Sequence, residues 1–158
     1  MIVFFEGQAY GEGSEYFLAP GDFQLSKPAE TGIPLKWLVE TLEKCPSSDK
    51  LLIVDTFHVG STERYPPQTS PVAMLRSQAS SMKSLQAIGA RDDSQLGQLW
   101  PEKSHGSFAW ELAAGFKGAA DTNRDLHIDA SEIFTSLREK LGELSFDKSR
   151  PQTPQLFP

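Results

Sequence analysis

Two parts of the chain bring together residue types that could do chemistry. The first runs Asp121-Thr122-Asn123-Arg124-Asp125-Leu126-His127-Ile128-Asp129-Ala130-Ser131-Glu132. Counted from Asp121, oxygen-bearing side chains fall at positions one, three, five, nine and twelve, with apolar Ile128 at the eighth. That is the ligand spacing of a calcium-binding loop, where hard carboxylate and amide oxygens surround a divalent cation. One position departs from the pattern. The sixth is Leu126, where the turn needs the left-handed backbone that suits Gly, and a side chain there costs about 1–2 kcal/mol. The preceding GFKGAA reads as a turn rather than an entering helix. Two readings stand: a structural turn leading into a helix cap, and bound Ca²⁺ held by Asp121, Asn123, Asp125, Asp129 and Glu132.

The second part is a pair of segments that follow apolar runs. Glu6-Gly7-Gln8-Ala9 comes after Ile2-Val3-Phe4-Phe5, and Asp55-Thr56-Phe57-His58-Val59-Gly60 extends Leu51-Leu52-Ile53-Val54. In parallel α/β sheets the loops at the carboxyl ends of strands carry the functional groups. Nucleophilic catalysis there would need a thiol or hydroxyl within reach of a base. The inventory is thin. Cys45 falls on the apolar face of a predicted helix and reads as a packing thiol. Ser61 and Thr62 are loop hydroxyls with no identifiable base, and His105 reads as a helix-start residue making a local hydrogen bond. Asp55 stands out as an acid at a strand end, able to cap nearby amides.

These residues need elements to position them. Residues 2–6 predict a strand, 7–15 a Gly-rich turn region, and 16–18 a second short strand stopped by Ala19-Pro20-Gly21-Asp22. From Pro34 the period becomes helical: Leu35, Leu38, Val39, Leu42 and Cys45 share one face, and Pro46 ends the helix. Leu51–Asp55 reads as a strand buried on both faces of a parallel sheet. Residues 60–81 read mostly as loop with a helical turn near Met74 and Leu75, and 85–88 as another strand. After a polar loop at 91–104, Phe108, Leu112 and Phe116 mark a helix, with Gly115 and Gly118 at its end. A last helix spans Ala130–Leu141, entered through the capping box Asp129–Glu132. The proline-rich tail is expected to be extended. The pattern predicts an α/β fold with a mostly parallel sheet flanked by helices.

Composition agrees with a single domain over 1–158. The chain has 158 residues and 17.5 kDa, 39% hydrophobic and 23% charged, which is globular rather than disordered. Its single cysteine excludes an internal disulfide framework and suits a reducing, cytoplasmic setting. A net charge of −6 with no basic patch argues against nucleic acid or an anionic membrane as partner. Neither a signal peptide nor an apolar run of about 20 residues is present.

Several motifs in order resemble the caspase-like cysteine peptidases, particularly the metacaspase-type bacterial relatives. FFEGQAYGEGSEYFLAPGDF is similar to that family's apolar strand, Gly-His-Gly and following Tyr-x-Leu-x-Pro-x-Asp segment. LLIVDTFHVG is similar to its strand ending in Asp-x-Cys-His-x-Gly, and SHGSFAWELAAGFKGAADTNRDLHIDASEIF to its His-Gly-x-Phe helix, Asp-rich turn and next helix. The Pro151–Gln155 stretch recurs too, so the resemblance covers about residues 2–156. It implies a caspase-like sheet lacking the first strands of the fold. Such domains run about 200–250 residues, with two strands and a helix ahead of the one that opens this chain. The expectation is a fragment with a missing N-terminal segment, or a first strand whose exposed edge needs a partner.

The resemblance also implies which positions matter, and both catalytic ones are changed. Gln8 stands at the histidine position, and a carboxamide is no general base. Phe57 stands at the cysteine position and has no nucleophilic atom. Losing one essential member of a serine-protease triad costs roughly six orders of magnitude in turnover. Ala9 replaces a glycine beside the oxyanion site. Asp55 matches an acid that receives a basic substrate side chain. His58 matches a position that is not the base. The resulting expectation is a pseudopeptidase that needs no cofactor and binds a peptide or protein. The alternatives are a peptidase with displaced catalytic residues and a calcium-responsive interaction module.

Overall fold

The computed structural model describes residues 1–58, 70–92, 95, 99–100, 105–144 and 151–158. In chain order these form β1 (Ile2–Glu12), β2 (Glu15–Leu18), α1 (Pro28–Thr31), β3 (Ile33–Pro34), α2 (Leu35–Lys44) and β4 (Lys50–His58). There follow α3 (Pro71–Gln78), β5 (Leu85–Gly89), β6 (Leu99–Trp100), β7 (His105–Gly106), α4 (Ser107–Ala114), α5 (Ala130–Leu144) and β8 (Gln155–Phe157). Six strands make one mixed sheet in the order β3-β2-β1-β4-β5-β8, and β6 pairs with β7 apart from it. The centre is parallel, β1 with β4 and β4 with β5, while β2, β3 and β8 join antiparallel.

Alternation along the parallel strands divides the core in two. Leu52, Val54 and Ala87 are buried on one face with Leu35, Val39 and Leu42 of α2 and Val72, Met74 and Leu75 of α3. Leu51, Ile53 and Ile88 are buried on the other with Phe108 and Leu112 of α4 and Ile133, Leu137 and Leu141 of α5. A strand covered on both faces has no polar positions to spare, which is why β4 reads as an unbroken apolar run. Gly89 allows close approach: a Cβ there would lie 2.7 Å from Val72 Cγ2.

Two polar groups lock α2 to the sheet. The ammonium of Lys50, buried at the start of β4, donates to the carbonyls of Glu43 and Cys45 at 2.9 Å each, satisfying the orphan carbonyls of the helix end. The Glu43 carboxylate accepts from the backbone amides of Lys83, Ser84 and Leu85 and from the Ser84 hydroxyl at 2.9 Å. Desolvation would raise this carboxyl, but the bonds from Ser84, Lys83 and Leu85 outweigh it and lower it to about 2.

Several sequence expectations change. β1 does not end at residue 6; it continues to Glu12, because β4 pairs with it through Ala9 and β2 from Ala9 onward. The turn shrinks to Gly13 and Ser14, with Gly13 in the left-handed region at φ 58°. β1 is therefore interior rather than an edge; among the described residues, β2 pairs with it only over Ala9–Glu12 on the side away from β4. In place of a single turn near Met74, α3 is a full helix with Ser70 Oγ accepting from Ala73 N–H at 3.0 Å and Pro71 in its first turn. Phe116 leaves the helical face and is exposed, because α4 gives way at Gly115 to a wider π-type turn that closes at Gly118, φ 113°. Cys45 sits beyond the last turn of α2, half-buried, its Sγ 4.0 Å from Met1 Sδ. Part of the polar loop pairs as β6 with β7. The tail is extended as expected, with β8 closing the sheet beside β5. No helix among the described residues is long and apolar enough to cross a membrane.

Candidate functional site

Parallel register brings the two singled-out segments together. Glu6 pairs with Asp55, Gly7 with Thr56, and Gln8 with Phe57. Neighbours in register share a face, and Glu6, Asp55, Gln8 and Phe57 follow Phe4 and Ile53 on the face that carries α4 and α5. Gln8 and Phe57 are thus side by side at the carboxyl ends of adjacent strands, Gln8 exposed and Phe57 half-buried. His105 and Gly106 cross above: a Cβ on Gly106 would stand 3.5 Å from Glu6 Oε1.

Sequence reading placed Arg91 in a polar loop and missed its role. Two residues past β5, its guanidinium Nη2 donates to Asp55 Oδ1 at 2.9 Å and to the Thr56 carbonyl, and its charge lies 5.0 Å over the Phe57 ring centroid. Both Arg91 and Asp55 are buried, with side-chain exposures of 8% and 3%. No local pattern marks the pair, since Asp55 lies in β4 and Arg91 just past β5, and only the pairing of those two strands brings the charges together.

Electrostatics follow from that burial. Desolvation pushes the Asp55 carboxyl up to about 6, against the pull of Arg91 and with a further push from Glu6. On the opposite face, the Tyr16 hydroxyl lies 2.6 Å from Thr56 Oγ1. Burial raises the Tyr16 phenol far above its ordinary value; the Thr56 bond and Arg91 oppose the rise and Asp55 adds to it. It holds its proton throughout the physiological range.

Neither Gln8 nor Phe57 can provide a nucleophile or a base. Cys45, beside Met1 and Lys50, is at the amino ends of β1 and β4, the far end of the sheet. His105 is exposed, its ring 5.8 Å from that of Trp110. Ser61, Thr62 and the side chain of His58 lie outside the described residues.

The Asp121–Glu132 loop forms a separate centre. Asp121 Oδ2 accepts from Leu126 N–H at 3.1 Å, Asn123 Oδ1 from Asp125 N–H at 2.8 Å, and Asp125 Oδ1 from His127 N–H at 2.8 Å. The capping box forms as expected: Glu132 N–H donates to Asp129 Oδ1 at 2.8 Å and Asp129 N–H to Glu132 Oε2 at 3.2 Å. Arg124 and Leu126 both adopt left-handed backbone, φ 62° and 69°. Asp121 Oδ1 and Glu132 Oε1, at the two ends of the ligand pattern, are buried with no hydrogen-bond partner. Such oxygens are costly unless something positive meets them. Among the described residues, however, no three His, Cys, Asp or Glu side chains are grouped so as to hold a metal ion.

Comparison with models of known protein families gives no match for this chain, and comparison with curated proteins gives none either.

Proposed function

We propose that this chain is a caspase-like peptidase homologue that has lost turnover and acts by binding a peptide or partner protein. The observation that carries the reading is the register pair Gln8–Phe57, with the acid beside it already neutralised by Arg91. A substrate's basic side chain would have to displace a buried ion pair before reaching Asp55. Displaced catalysis beside Gln8 and Phe57 is disfavoured by the position of Cys45 at the other end of the sheet. A cytoplasmic setting fits the lone free thiol. Incubation with fluorogenic peptides ending in Arg, Lys or Asp tests the reading. It expects release no faster than buffer; turnover abolished by a single substitution in this chain would overturn it.

A second reading rests on the orphaned oxygens of Asp121 and Glu132: a calcium-responsive loop. Those two carboxylates would hold Ca²⁺ together with Asn123, Asp125 and Asp129, and the ion's charge would satisfy the two buried oxygens. The loop would have to draw its carboxylates closer. Its test is a rise in melting temperature with added Ca²⁺ that Asp121→Ala removes; an unchanged melting temperature would end it.

A further inference from the structure

We draw no further inference here: the strongest candidate, the cavity at the amino ends of β4 and β5 beside the start of α5, lined by Ile2, Lys50, Lys83, Phe116 and Asp129, opens next to Met1 and Pro158 and mixes cationic, acidic and apolar walls, so nothing in the structure shows what covers it or which chemistry it would take.

Discussion

Arg91 reaches across the end of the sheet to Asp55, its Nη2 2.9 Å from Oδ1, with both side chains buried. The pair joins the carboxyl ends of β4 and β5 and covers Phe57 with a guanidinium. Desolvating two charges is expensive, and their attraction repays it only while both are present. The pair therefore ties β4 to the residue just past β5 without having to add net stability.

Removing one partner should be costly. Arg91→Met leaves the Asp55 carboxylate buried and alone, and should destabilise the fold by about 3–5 kcal/mol in urea unfolding. Arg91→Met combined with Asp55→Asn should recover much of that loss. Equal losses in the single and double variants would show that the two side chains do not act as a pair.

The same carboxyl sets a pH dependence. Asp55 binds its proton more tightly folded, near 6, than unfolded, near 3.8. Its contribution to stability is thus greatest below the unfolded value and declines as pH rises to about 6, then levels. Unfolding curves collected across that interval should show the decline in the native chain and lose it in Asp55→Asn.

Glu43 works with the opposite sign. Its folded value is lowered from 4.5 to about 2, so its contribution is present above the unfolded value and lost as pH falls through the folded one. Glu43→Gln should flatten the acid side of the stability profile and raise amide exchange at Ser84 and Leu85. An unaltered acid limb would show that the carboxylate does not hold that turn.

Leu126 is strained and 90% exposed, so its side chain contributes little burial. Leu126→Gly should relieve about 1–2 kcal/mol of left-handed strain and return about 0.5–1 kcal/mol of that as chain entropy. The net gain is about 0.5–1 kcal/mol, measurable by chemical denaturation. If the loop takes Ca²⁺, the same variant should show the larger calcium-dependent melting shift.

Much of the fold was legible because its signals were local. The unbroken Leu51–Val54 run, the α2 spacing and the Asp129–Glu132 box each appear in the structure as the elements they predict. The misses lie where long-range pairing overrode local preference. Gly7, Gln8 and Ala9 have little strand propensity, yet they continue β1 because β4 and β2 supply partners. At the site, the Gln8 and Phe57 positions could be singled out from sequence. Arg91 could not, because its role depends on β5 lying beside β4, a neighbour relation that one-dimensional spacing does not carry.

The central claim is that the described residues around Gln8 and Phe57 supply no nucleophile. Intact-mass measurement after incubation with irreversible electrophilic peptides carrying Arg, Lys or Asp tests it most directly. The account predicts an unmodified chain while an active cysteine peptidase is labelled in parallel. A stoichiometric adduct on Cys45, Ser61 or Thr62, blocked by excess unreactive peptide, would contradict it.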